Sequence, residues 1–154
     1  MKAVVTRVRS VSVTIEGRIN GRIGQGFLVL LGVGPEDTEA DAILLADKIV
    51  GCRVFEDENG KMNRNLTAVN GELLVISQFT LYADLHSRRP GFSHAAPPSL
   101  AVPLYERFLA QCADLGFPPQ HGEFGADMQV ESVNDGPVTL LFDTDEWIKK
   151  TAQN

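Results

Sequence analysis

The sequence predicts an α+β fold, with strands arriving in blocks and two helices set among them rather than in strict β-α-β alternation. Three features predict it: β-branched residues over 3–15, an unbroken apolar run Phe27–Leu31, and two stretches, 39–50 and 98–115, with apolar residues at helical spacing. At 154 residues the chain is the size of one domain, read as spanning 1–154 with the tail after about 143 unassigned.

Val4, Val5, Val8, Val11, Val13 and Ile15 make residues 3–15 a strand, because branched side chains suit a pleated surface better than a helix. Glu16-Gly17-Arg18 turns the chain into a hairpin partner over 18–23, whose register the second turn dipeptide Asn20-Gly21 leaves open. Phe27–Val33 has no polar alternation, so it predicts a central strand buried on both faces. Gly34-Pro35 ends it, Asp37 or Thr38 caps a helix, and Ala42, Leu45, Ala46 and Ile49 carry that helix to about Val50. Arg53–Phe55 reads as a short strand, 57–60 as an acidic turn, 63–70 as loop, and 72–81 as a buried strand. Residues 84–98 form a loop with cations and prolines, of a length that is usually either functional or disordered. Pro98 opens a second helix presenting Val102, Tyr105, Phe108, Leu109 and Cys112, ending near Leu115-Gly116. Residues 125–133 and 138–143 read as two strands joined by a turn at Asn134-Asp135-Gly136-Pro137, and Trp147 lies in a polar tail with the makings of a short helix.

Fourteen Lys+Arg against twenty Asp+Glu give a net charge of −6. A protein that grips long nucleic acid releases counterions from many phosphates and is usually basic, so duplex DNA is not an expected partner; one RNA end at a locally basic mouth is compatible. No apolar run reaches the length of a membrane span, and charge at Lys2 and Arg7 breaks up the N-terminal apolar stretch, so neither membrane nor secretory signal is expected. Cys52 and Cys112 lack metal or redox spacing and read as reduced, packed thiols, which together with the charge predicts a cytosolic protein.

His86, His94 and His121 are scattered, so no metal site and no cofactor are expected. There is no Gly-x-Ser-x-Gly elbow, and Gly32-Val33-Gly34 lacks the third glycine of a dinucleotide loop. Two segments carry chemistry instead. Ser77-Gln78-Phe79-Thr80 puts hydrogen-bonding side chains at the end of a buried strand, where each needs a partner or a ligand. Asn134-Asp135-Gly136-Pro137-Val138-Thr139 reads either as an ordinary turn or as a rigid peptide that aims its carbonyls.

Taken together, Ser77-Gln78-Phe79-Thr80-Leu81 and Asn134-Asp135-Gly136-Pro137-Val138-Thr139 resemble the D-aminoacyl-tRNA deacylase family. Arg7-Val8, Phe55-Glu56-Asp57, Gly60-Lys61-Met62-Asn63, Arg89-Pro90, Phe92-Ser93, Pro103-Leu104-Tyr105 and Phe124–Val130 extend the match in order to about residue 143. The resemblance implies a homodimer of mostly antiparallel, strongly curled, barrel-like sheets. It implies hydrolysis of the ester joining a D-amino acid to the 3′ end of tRNA, and of glycine mischarged on alanine tRNA. It assigns Gly136 and Pro137, as a cis peptide inserted into the partner subunit's pocket, to rejection of L-amino acids, with Arg7 bracing them. Ser77, Gln78, Phe79 and Thr80 would line the reacting centre, and Phe124 and Met128 the adenosine. An unassisted Thr80 hydroxyl is a poor nucleophile, so backbone amides near Phe79 and Thr80, with the ribose 2′-hydroxyl assisting, are the expected machinery. Lys61, Arg64, Arg88 and Arg89 would supply the basic mouth. Thr6 and Gly91 depart from the commoner family residues, as does the 84–89 loop. The competing readings are a non-catalytic binder of the aminoacylated end, a small-molecule hydrolase, and a structural domain.

Overall fold

The fold is that of a computed structural model, which describes residues 1–148. Its spine is β1 (Lys2–Ile15), 14 residues long. One edge of β1 is shared by β3 (Gly26–Gly32) along Lys2–Val8 and by β2 (Arg18–Ile23) along Val11–Ile15. The other edge is taken along nearly its whole length by β8 (Gln129–Asp143). All three pairings are antiparallel. Beyond β3, β6 (Glu72–Ser77) and β7 (Gln120–His121) add in parallel, giving the order β2-β1-β3-β6-β7 with β8 on β1. The sheet curls until β2 returns against β6 and β7, where Asn20 Nδ2 donates to His121 O at 2.7 Å. The result is a nearly closed, barrel-like mixed sheet in an α+β fold.

The turn between β1 and β2 is Glu16-Gly17, both at positive φ (49° and 76°), which suits a two-residue hairpin. Asn20-Gly21 lies inside β2 instead of turning it. Val13 pairs Gly21 and Thr14 pairs Ile19, so Asn20 is the extra residue of a bulge. At Gly21 a Cβ would stand 3.1 Å from Leu74, so the bare backbone allows the curl to close.

Phe27–Leu31 is buried on both faces as expected, apart from the half-buried Leu30. Phe27, Val29 and Leu31 meet one core with Leu73, Val75 and the helices; Leu28 joins Val8, Val11, Val13, Ile23, Leu74 and Ile76 inside the curl. The first core is covered by α1 (Glu39–Val50) and α3 (Pro98–Asp114), which pack on each other. Thr38 caps α1 in a capping box with Asp41, and Pro98 starts α3.

Several boundaries differ from those predicted. The expected loop over 63–70 contains a strand and a helical turn: β4 (Phe55–Glu56) pairs β5 (Met62–Arg64), and α2 (Leu66–Val69) is capped by Asn65 Oδ1, which accepts from Ala68 N. β4 also begins two residues later than the expected Arg53. The predicted strand 72–81 ends at Ser77, where the chain tightens into a 3₁₀ turn, Phe79–Tyr82. The tail forms a 3₁₀ turn at Thr144–Glu146, and Trp147 sits edge-on to Phe142 at 6.0 Å. The remainder of the tail lies outside the described residues.

The largest correction concerns Asn134–Pro137. No turn separates two strands there: β8 is one 15-residue strand that starts at Gln129 rather than Gly125. Its halves pair the same edge of β1, and the irregularity between them is a bulge described below.

Near the strand ends, the Met1 ammonium is fully buried and donates to Asp37 Oδ1 at 2.7 Å and Thr144 Oγ1 at 2.8 Å. Thr144 Oγ1 donates to Asp41 Oδ1 at 2.5 Å. Asp37, Asp41 and Asp145 bring carboxylate oxygens within 4.8 Å of one another, and the ammonium lies 4.0 Å from Asp41 as well. Burial acts to raise the Asp41 pKa, but hydrogen bonds from Thr144 and Thr38, together with the ammonium, hold it below the usual carboxylate range. A depressed folded pKa adds stability above the unfolded value near 4 and loses it as pH falls through the folded one. The melting temperature is therefore expected to drop on acidification below about pH 4, and Asp41→Asn to melt lower at neutral pH with a shallower acid limb. Parallel acid limbs for the two proteins would show that this network does not set acid stability.

Candidate active site

Leaving the sheet at Ser77, the chain places Gln78, whose N–H donates to Leu31 O at 2.7 Å, and then turns sharply. In this 3₁₀ turn the first internal bond runs from Leu81 N to Gln78 O at 3.2 Å. The N–H groups of Phe79 and Thr80 therefore have no acceptor within the turn, the usual condition of a helix start. Of these two residues, Phe79 lines a cavity of about 650 Å³. Ser77, Gln78, Phe124, Met128, Tyr105 and Ala95–Pro98 also line it.

Of the residues singled out from sequence, the structure thus brings together Ser77, Gln78, Phe79, Phe124 and Met128. Thr80 is exposed and does not line the cavity; its Oγ1 accepts from Gln78 Nε2 at 2.5 Å, which orients that amide. Phe79 is half exposed and stands edge-on to Phe92 at 5.1 Å. Phe92 and Ala95–Pro98, from the 84–98 loop, line the same cavity. Asp84 and Gly91 pin the loop's base, exchanging N–H···O bonds of 2.7 and 2.9 Å.

Tyr105 was missed: its spacing on α3 marks a core face, and nothing in the pattern says that its ring also walls a cavity. Its hydroxyl donates to Val75 O at 3.3 Å, and burial pushes its pKa up to about 12, so it stays protonated. The four expected cations do not make one rim. Lys61 and Arg64 belong to the β4–β5 ribbon, where Arg64 pairs Glu58 at 2.8 Å. Arg88 and Arg89 occupy the exposed tip of the 84–91 loop, and none of the ion pairs among the described residues includes them. Cys52 and Cys112 are free thiols, and burial raises the pKa of Cys112 to about 12.

Gly136 and Pro137 stand apart from this cavity. Between Thr6↔Thr139 and Val8↔Asn134, β1 contributes the single residue Arg7 while β8 contributes the four residues 135–138. The surplus chain bulges outward, leaving Gly136 and Pro137 exposed and their peptide cis. Arg7 is 6% exposed. Its Nη1 donates to Val54 O at 2.6 Å, its Nε donates to Asp135 O at 3.2 Å, and the Asp135 carboxylate lies 3.4 Å away. Gly136 has φ +121°, and a Cβ there would meet Arg7 Nη2 at 3.1 Å, so the position favours glycine twice over. None of residues 135–138 lines the cavity.

A chamber with aromatic lining beside a turn whose first backbone donors lack internal acceptors suits an enzyme that stabilises a developing oxyanion, as in acyl or ester transfer. The comparisons identify which. The family model described as D-Tyr-tRNA(Tyr) deacylase matches residues 4–143, and the chain belongs to that family of ester hydrolases. Relatives named D-aminoacyl-tRNA deacylase include one from Thermosipho africanus (strain TCF52B), 53% identical over 94% of this chain and 97% of its own. Another, from Lacticaseibacillus casei (strain BL23), is 57% identical over 94% and 99%. Among solved structures, one described as c-Myc DNA Unwinding Element Binding Protein superposes with a TM-score of 0.88 at 42% identity, covering 93% of this chain and 98% of that one. A probable eukaryotic D-amino acid tRNA deacylase, 14% identical with a TM-score of 0.81 over 92% and 98%, shares the fold.

Removing the Arg7 guanidinium strands the buried Val54 carbonyl and the part-buried Asp135 carbonyl. Arg7→Met is expected to cost roughly 2–4 kcal/mol, and to raise amide exchange over 135–138 more than elsewhere. Exchange that rises evenly along β8 would mean that Arg7 does not specifically hold the bulge.

Proposed function

We propose that the protein hydrolyses D-aminoacyl-tRNA, and glycine mischarged on alanine tRNA, to free tRNA and amino acid. The observation that carries this is the end of β6, where Ser77, Gln78 and Phe79 line an aromatic-walled chamber at a turn that leaves the Phe79 and Thr80 N–H groups without internal acceptors, in a chain of the deacylase family. The terminal adenosine lies against Phe124 and Met128, and the Phe79 carbonyl accepts from the substrate ammonium. Water adds to the ester carbonyl while the Phe79 and Thr80 amides hold the oxyanion. The ribose 2′-hydroxyl relays the water's proton, and collapse expels the 3′-oxygen, which leaves protonated. Ser77 and Gln78 position the ester; Thr80 acts through its backbone and by orienting Gln78.

Stereochemistry is assigned to the bulge. Gly136 and Pro137 present backbone carbonyls that cannot rotate away as a side chain would, and Arg7 braces them from below. None of residues 135–138 lines the cavity of their own chain, which supports assigning the filter to a second subunit's cavity, in a homodimer. β8 supports this arrangement: its outer edge has no strand partner among the described residues, and Val133 and Leu141 are 54% and 82% exposed on it. A long apolar edge of this kind calls for cover. Arg88 and Arg89, beside Phe92, supply local positive charge for the tRNA phosphates on an otherwise acidic, cytosolic protein.

The test is release of amino acid from matched D-tyrosyl- and L-tyrosyl-tRNA at limiting enzyme, with chelator present. Loss of the D ester at least about 100-fold faster than the L ester is expected, a difference of roughly 2.7 kcal/mol in transition-state binding. Bound but intact D ester would make the protein a non-catalytic binder, and equal loss of both would remove the filter from Gly136-Pro137.

A further inference from the structure

A second cavity of about 390 Å³ lies beside the first and shares two walls with it, the rings of Tyr105 and Phe124. These rings pack 6.0 Å apart. Val102 and Leu109, both half-buried on α3, add apolar lining, while Glu106, His121 and Glu123 line it as exposed residues. The rim is tied down. Asn20 Nδ2 donates to His121 O at 2.7 Å, and His121 Nδ1 lies 2.6 Å from Gly122 O, which fixes Nδ1 as the protonated nitrogen. Gly122 joins the two cavities mechanically, since a Cβ there would stand 2.3 Å from Met128 Sδ. Only a glycine lets Met128 lie where it does on the wall of the first cavity.

The lining defines a ligand class. Aromatic and aliphatic walls accept a flat ring. No Lys or Arg lines the cavity, and two carboxylates stand at its rim, so a phosphate is repelled and a ring edge bearing N–H donors is favoured. Among the pyrimidines cytosine presents such an edge, its exocyclic amine donating well to a carboxylate, whereas uracil offers a carbonyl oxygen at the same place. Every tRNA carries a cytidine immediately before its terminal adenosine. We propose that this cavity seats the base of that penultimate cytidine, with the Glu106 and Glu123 carboxylates accepting from its amine, so that the enzyme reads two nucleotides of the tRNA end. The proposal rests on the deacylase reading, which puts the adenosine against Phe124 and Met128 on the other side of the shared wall.

The probes are the dinucleoside monophosphates CpA and UpA, unacylated, measured by equilibrium binding to the full chain. CpA is expected to bind at least about fivefold tighter than UpA. The double variant Glu106→Met/Glu123→Met is expected to bring the ratio to about one. Because both ligands are measured on the same sample, partial unfolding of the variant does not move this ratio. Equal affinities in the wild type, a ratio unchanged in the variant, or no binding of either up to about millimolar concentration would overturn the cytidine site. Hydrolysis of the D-tyrosyl ester of adenosine is measured in parallel. If that ester survives while the CpA preference stands, the deacylase reading fails alone.

Discussion

Arg7 is a guanidinium in the interior of an acidic protein, and its surroundings follow from a mismatch in strand length. Where β1 supplies this one residue, β8 supplies four, and the surplus has to leave the sheet. The excess would be free to wander if nothing held its root. Arg7 holds it, because a planar fork can serve two fixed carbonyls at once, Val54 O below and Asp135 O beside it. A second irregularity follows at once: between Val8↔Asn134 and Ser10↔Val133 β1 has the extra residue Arg9, and this lets β1 change faces. Ala3 and Val5 point to the helix-covered core, whereas Val8, Val11 and Val13 point inside the curl. One strand thereby serves two cores, and the sheet can bend over the second.

Curl and cavity are linked through the other strands. β3 and β6 are buried from both sides, so their ends are fixed in place, and the departure of the chain at Ser77 occurs at a well-determined point. A 3₁₀ turn at that point presents two N–H groups already free of internal partners, so no backbone bond has to break before they meet a substrate. Rigid donors of this kind are what stabilisation of a transient oxyanion requires. Tyr105 from α3 and Phe124 line the same cavity as Phe79, and Gly122 permits the close approach of Met128 that completes it.

Much of this was legible in the residues. The doubly buried strand at Phe27–Leu31 and both long helices follow from hydrophobic period, and Ser77–Thr80 stood out because polar groups on a buried strand need partners, although Thr80 itself lies outside the cavity. The length of the 84–98 loop marked it as either functional or disordered, and Phe92 and Ala95–Pro98 from it line the cavity. What was not legible depends on pairing between distant segments. Asn134-Asp135-Gly136-Pro137 carries every local mark of a turn, and only the presence of β1 along both flanks makes it a bulge. Asn20-Gly21 misleads in the same way, because Glu16-Gly17 had already turned the chain. The 63–70 helical turn is short enough that its one signal, Asn65 as a cap, is lost among loop residues. Tyr105 has a core residue's spacing and burial, and its second role depends on Phe124, which is far from it in sequence.

The central claim is that the cavity of one subunit works with the bulge of another. It is tested most directly by mixing two inactive or unselective forms and measuring enantiomer selectivity. One form carries an intact cavity with the bulge disabled by Gly136→Val; the other carries an intact bulge with the cavity blocked by substitutions at Ser77 and Phe79. Subunits exchanged between them should form mixed dimers in which an intact cavity faces an intact bulge. The account predicts that D-selective hydrolysis reappears on mixing, in proportion to the mixed dimer. A mixture no more selective than the Gly136→Val protein alone would contradict it, and would place cavity and bulge in separate roles.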